Sequence, residues 1–206
     1  MTFAQLALRL VSIPAVVLSL LSCGGVLQSN SPAKRVFLLQ PHPAESVPAT
    51  DAEAPSLALS LSVVPGLDSD ALLTLSPSAE LGRFEAARWP DHLPEFVASL
   101  LLRSLQGSGR FSAVTGAFGQ TERACDLALE LRAFHTVIEA DGTPDSVRME
   151  LDGNLECPDF AGPINARSGV SVPDRRLDSI VAAHQRAFER LVGELLGQLP
   201  VSGDKG

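Results

Sequence analysis

Between Cys125 and Cys157 the alternating apolar residues all fall at odd positions. Leu127, Leu129, Leu131, Ala133 and Val137 form the first set, and Val147, Met149, Leu151 and Leu155 the second. Alternation with period two marks a β-strand with one buried face, and Asp141-Gly142 between the sets is a turn signal. For both sets to share a face, odd residues must pair with odd. A two-residue turn at Asp141-Gly142 pairs odd with even and fails. A three-residue loop, Ala140-Asp141-Gly142 with glycine in the left-handed region, satisfies the condition. That register sets Leu127 opposite Leu155, Leu131 opposite Leu151 and Arg132 opposite Glu150. It also sets Cys125 opposite Cys157, and Cα atoms of facing residues lie about 4.5–5.5 Å apart, within disulfide reach.

Two other readings of the cysteine pair are weaker. A metal site built with His135 lacks a fourth ligand at a usable spacing. Dithiol redox chemistry generally uses Cys-x-x-Cys, which is absent. A structural disulfide implies an oxidising compartment, and the N-terminus points to the same place. Met1 to Arg9 is weakly basic, Leu10 to Leu21 is apolar but too short for a membrane-spanning helix of about 20 residues, and Ser22 is small. Cys23 follows at once. Leu20-Leu21-Ser22-Cys23 resembles a bacterial lipobox, in which the cysteine is acylated and becomes the first residue of the mature protein. The resemblance implies three acyl chains. Since each buried methylene contributes ~0.8 kcal/mol, that many hold a domain on a membrane durably. Gly24 rather than Asp after the cysteine implies the outer membrane.

Residues 1–22 then read as signal peptide, 23–34 as a flexible tether, 35–200 as one domain and 201–206 as a tail. Within the domain, Val36 to Leu39, Leu57 to Val63, Ala71 to Leu75, Leu81 to Trp89 and Phe111 to Val114 read as strands. An edge strand is expected near Ile164 to Val172. Helical spacing of Leu93, Phe96, Val97, Leu100, Leu101 and Leu105 predicts a first amphipathic helix, with Asp91 as cap and Pro94 in the first turn. Ile180, Ala183, His184, Ala187, Phe188, Leu191, Leu195 and Leu199 predict a second, capped by Asp174 or Asp178. The expected fold is α/β in the α+β sense. It is a single domain with a mostly antiparallel sheet of about five to seven strands and two main helices packed on it.

Composition excludes several function classes. The full chain carries net charge −8, and loss of Arg9 with the signal peptide takes the mature protein to −9. An acidic chain offers no phosphate-binding surface, so nucleic acid is not an expected partner. The four histidines, His42, His92, His135 and His184, are scattered. His184 falls on the apolar stripe of the last helix, and His135 on the apolar side of its strand; both read as core or boundary residues. No Gly-x-Ser-x-Gly elbow, phosphate loop or dinucleotide fingerprint occurs, and the acidic residues are diffuse. No catalytic residue, metal ligand or cofactor site is assigned. Arg88 and Trp89 remain as candidate interface residues, because Trp and Arg are enriched at binding surfaces. For Trp89 the stronger reading is an anchor packing the helix start onto the sheet.

The ordered features together resemble one family. They are a lipobox, the Val36-Phe37-Leu38-Leu39-Gln40-Pro41 strand and an alternating strand ending in Val64-Pro65-Gly66-Leu67-Asp68. An Arg88-Trp89-Pro90-Asp91-His92-Leu93 helix entry, a hairpin and a C-terminal amphipathic helix follow. The order is similar to that of the ABC-type transport auxiliary lipoproteins. The resemblance implies a non-catalytic periplasmic domain held on the outer membrane by its N-terminal lipid. It would dock an MCE-domain protein and the associated ABC transporter in envelope lipid trafficking, and a homo-oligomer is compatible with that role. The rival expectations are a lipid-binding carrier with an apolar cavity between helix and sheet, and a lipid-anchored periplasmic enzyme or sensor.

Overall fold

In the computed structural model the described residues are 33–43, 54–116 and 124–199. The expected signal peptide, Cys23, nearly all of the tether and the tail lie outside them. Ten elements follow one another: β1 (Arg35–Val36), β2 (Ser56–Val63), β3 (Ala71–Leu75), β4 (Leu81–Arg88), α1 (Leu93–Gly107), β5 (Val114–Gly116), β6 (Ala124–Ile138), β7 (Pro144–Cys157), β8 (Phe160–Ser171) and α2 (Leu177–Gln198).

The β6–β7 hairpin forms around the expected three-residue loop. Glu139 N–H donates to Thr143 O at 2.8 Å, and Gly142 takes φ +77°. Leu127 faces Leu155 and Leu131 faces Leu151. Cys125 and Cys157 are joined, with Cα atoms 4.2 Å apart. One expected pair is wrong: Glu150 faces Ala133, not Arg132. A bulge at Arg132 slips the register by one residue, and a second irregularity at Asp145 restores it beside the turn. Between the two, the inward phase of β6 passes from odd to even residues. Phe134 and Thr136, both fully buried, take the inward positions expected for Ala133 and Val137. His135 consequently lies on the opposite face. The displaced Arg132 side chain bonds Glu130 at 2.5 Å and Asp152 at 3.3 Å, bridging two facing acids.

The bulge also marks where the other edge of β6 changes partner. β2 pairs with it in parallel up to Val63–Leu131, and β3 takes over at Thr74–Thr136, again in parallel. β2 and β3 therefore run end to end along one long strand. This corrects the expectation of a mostly antiparallel sheet of five to seven strands: the sheet has eight strands and is mixed. Alternation reveals a strand but not its direction, and β1–β4 and β2–β5 are parallel too. Three shorter expectations also shift. Only Arg35–Val36 joins the ladder of the first strand, β5 begins at Val114, and β8 starts at Phe160. The first residue before α1 is His92, without a side-chain cap. Asp91 accepts the His92 N–H at 2.9 Å instead. Neither Asp174 nor Asp178 caps α2: the residue before the helix is Arg176, without a side-chain cap, Asp178 lies in the first turn, and Asp174 accepts the Arg176 N–H at 2.8 Å.

Both helices bury their apolar stripes against the sheet in one continuous cluster that runs from Leu39 to Leu199 and includes Leu100, Leu131, Leu151, Phe188 and Leu191. α2 does a second job at the sheet edge. Arg190 donates to Gly169 O at 3.2 Å, Glu194 accepts the Arg167 N–H at 2.8 Å, and Gln198 accepts from Asn165 N–H at 3.0 Å while donating to Asn165 O at 2.6 Å. Four helical residues rise about 6 Å, close to the roughly 6.6 Å spanned by two strand residues. Side chains spaced by four on α2 therefore keep step with backbone groups spaced by two on β8. They occupy the edge as an added strand would, and so protect it from pairing with another chain.

The Glu194→Ala/Gln198→Ala double variant is expected to lose roughly 1–2 kcal/mol in urea unfolding and to associate reversibly through the bared β8 edge. Unchanged unfolding and a monodisperse profile in sedimentation would refute this role. Gly153 faces Leu129 across the hairpin, and a Cβ there would sit 2.0 Å from the Ala128 carbonyl oxygen. Gly153→Ala is expected to destabilise by about 1–3 kcal/mol. An unchanged melting temperature would refute that close approach.

Candidate functional site

Two features near the start of the domain carry functional weight: the entry of the N-terminal segment and the aromatic cage beneath it. The segment from Arg35 to Pro43 crosses both helices as a strap. The Arg35 guanidinium bonds Asp178 of α2 at 2.6 Å and lies 4.7 Å over the Phe37 ring. Phe37 N–H donates to Arg88 O at 2.9 Å, extending the β1–β4 pairing by one bond. Leu39 is buried in the core. Gln185 of α2 accepts the Gln40 N–H at 2.8 Å and donates to Gln40 O at 3.2 Å. The His42 N–H donates to the Ser104 hydroxyl of α1 at 2.9 Å, and that hydroxyl donates to Leu100 O at 2.8 Å. Beside the exposed Arg35 and Gln40, the strap turns two large apolar side chains outward: Leu38 is 64% exposed and Val36 49%.

Trp89, expected with Arg88 as a candidate interface residue, is 0% exposed. Its ring is a core anchor and cannot meet a partner. Trp89 N–H donates to Asp70 O at 2.7 Å, which fixes the chain where β4 gives way to α1. The indole stacks on Phe96 at 5.3 Å and meets Phe134 and His184 edge-on at 5.7 and 5.3 Å. Burial of the whole ring follows from its place between sheet, α1 and α2. Arg88 stays half-exposed on the surface, 3.3 Å from the Asp70 carboxylate.

The four histidines do not converge. His92 is exposed and pairs with Asp68 at 2.9 Å; the Asp68 hydrogen bond raises its pKa above the ordinary value. His135 is buried on the outer side of the sheet, where burial and then Arg148 depress its pKa. His184 lies wholly inside the cage. Its Nδ1 is 3.0 Å from Ile180 O, so that nitrogen carries the proton. Its Nε2, the Trp89 Nε1 and the Thr136 hydroxyl have no protein partner. Burial pushes the imidazole down to about 4, and the Ile180 carbonyl only partly opposes it. At neutral pH the ring is uncharged.

Sequence reasoning found the apolar stripe of α2 but missed Gln185, Arg190, Glu194 and Gln198, which hold the strap and the β8 edge. The four-residue spacing of the last three was a usable signal. Nothing in local sequence marks Ser104 or Gln185 as strap ligands, because their partners lie far away in the chain.

The family model for the ABC-type transport auxiliary lipoprotein component matches residues 37–195. Among solved structures, the chain resembles a Xanthomonas campestris protein placed in the DUF330 family model. The identity is 19%, the TM-score 0.60, and the match covers 81% of this chain and 92% of that one. A second crystal structure, of a protein described as uncharacterized, aligns at 12% identity and a TM-score of 0.61, covering 82% of this chain and 100% of that one. These structural likenesses establish a shared fold. No curated protein matches. The family match spans most of the strap, α1, the disulfide-closed hairpin and nearly all of α2, and the chain therefore belongs to the ABC-type transport auxiliary lipoprotein family.

Proposed function

We propose that this protein is acylated on Cys23, held on the periplasmic face of the bacterial outer membrane, and acts without catalysis as the docking component of an MCE-type ABC lipid-transport system. Its place in an auxiliary lipoprotein family supports the transport role and points away from chemistry. The single observation that carries the reading is the strap. A lipid-bearing tether ending at residue 34 leads directly into a segment held by side chains of both helices and by β4. Tension on the tether then reaches the rigid body at several points rather than through one loop. Arg88 and the exposed Val36 and Leu38 lie along this entry, and we assign them to the surface that meets the MCE protein. The rival carrier reading needs an apolar cavity between helix and sheet; that space holds a continuous cluster of packed side chains.

Cys23→Ser in the native host tests the proposal. The variant is expected to fold with an unchanged far-UV spectrum, to leave the outer-membrane fraction for the soluble periplasm, and to lose envelope function. Outer-membrane retention, or full function from the soluble form, would overturn the anchored docking role. Leu38→Glu is expected to weaken co-purification of the MCE protein at least tenfold without altering the melting temperature. Unaltered co-purification would remove this surface from the interface.

A further inference from the structure

We propose that His184 is an acid-sensitive latch: protonation of its imidazole drives α2 off the core, and that one movement releases the α2 hold on the N-terminal strap and bares the β8 edge. The geometry carries this. His184 sits in the N-terminal half of the buried stripe of α2 with no exposed surface. Its walls are the Trp89 and Phe134 rings. Its Nδ1 is committed to Ile180 O, so a second proton can only enter at Nε2, which has no acceptor to meet it. A charge placed there is buried without a partner and must either leave or open the packing.

Among the described residues no Asp, Glu, Lys or Arg is buried, so no carboxylate inside the core can pair with the charge. α1 buries Leu93, Phe96, Val97, Leu100, Leu101 and Leu105, with Ser104 as its buried polar residue. β6 buries the neutral Thr136 hydroxyl, and the buried residues of β7 and β8 are apolar, Met149 and Ala166 among them. The titratable group that acts on His184 is His135 of β6, which disfavours the charge. Arg148 and Glu150 of β7 act on His135 instead, across the outer face.

The direction in pH follows. The imidazole lies at about 4 when α2 is seated and rises toward 6.5 when it is free. Closure is intact above pH 6.5 and weakens as pH falls, by on the order of 100-fold at pH 4. The consequences are local to α2. Its neighbouring Gln185 holds Gln40 of the strap, and further along the helix Arg190, Glu194 and Gln198 hold β8.

Trp89 is the one tryptophan of the chain, and its ring lies 5.3 Å from that of His184. An imidazolium at that distance quenches indole emission. The test titrates the full-length mature protein, extracted in neutral detergent, from pH 7.5 to 4. It follows tryptophan emission together with amide exchange corrected for its intrinsic pH dependence. Emission is expected to change between pH 6.5 and 4. Exchange at Gln40, Asn165 and Arg167 is expected to rise at least tenfold more than at Leu127 and Leu155 of the hairpin. His184→Gln and, as a second variant that keeps the core apolar, His184→Phe are expected to abolish both effects, whereas His135→Gln leaves them. The latch is overturned if emission is flat, if the transition survives in a folded His184 variant, or if hairpin amides accelerate as much as those at the strap and β8. None of these readouts depends on Cys23 or on a transport partner, so failure here leaves the docking proposal standing, and the reverse.

Discussion

Strand β6 is the member on which the other layers depend. Its fifteen residues pair with β7 along one edge, while β2 and then β3 share the other. The disulfide ties its first turn of residues to the end of β7, closing a loop with a sequence separation of 32. On the chain-entropy model a loop of that length stabilises the fold by roughly 3–4 kcal/mol. The bulge at Arg132 is the compensating feature. It lets one strand serve β2 with odd residues and the aromatic cage with even ones, because Phe134 could not face Trp89 in the unbroken register.

Helix α2 is the second organiser, and it works through two different faces. Its apolar stripe closes the core. Its polar border supplies hydrogen bonds to backbone groups that would otherwise be open, first on the strap at Gln40 and then along β8. A sheet edge covered by side chains is cheaper to uncover than one paired with a strand, since the bonds lie near solvent. The same helix therefore controls how firmly the N-terminal segment is held and whether the edge is available. The Arg110 guanidinium adds a further tie, donating to the Leu196 and Leu199 carbonyls at the C-terminal end of α2.

Sequence patterning carries the hairpin almost completely, because alternation, turn chemistry and the cysteine spacing are separate constraints that agree. The stripe of α2 was equally legible, including the buried His184. Strand direction was not legible: β2 and β3 read as ordinary half-buried strands whether they run with β6 or against it. The bulge left no mark either, since Ala133 and Val137 continue the odd alternation while the larger Phe134 takes the inward place. Trp89 illustrates a different limit. Its neighbourhood of Arg88 and Pro90 fits an exposed anchor and a buried one alike, and only the assembled walls of Phe96, Phe134 and His184 decide between them. The strap contacts depend on pairs more than sixty residues apart, beyond the reach of any local pattern.

Family membership places the chain among transport auxiliary components, and the strap and the filled helix–sheet interface make its domain a packed, rigid body. The account rests on a covalent lipid at the start of the tether, without which the strap has no load to carry. Intact-mass analysis of the protein purified from membranes of its native host tests this most directly. The account predicts a mature chain beginning at Cys23 and heavier than its polypeptide by the mass of a triacyl modification. A chain that begins beyond residue 23 with an unmodified amino terminus would contradict it.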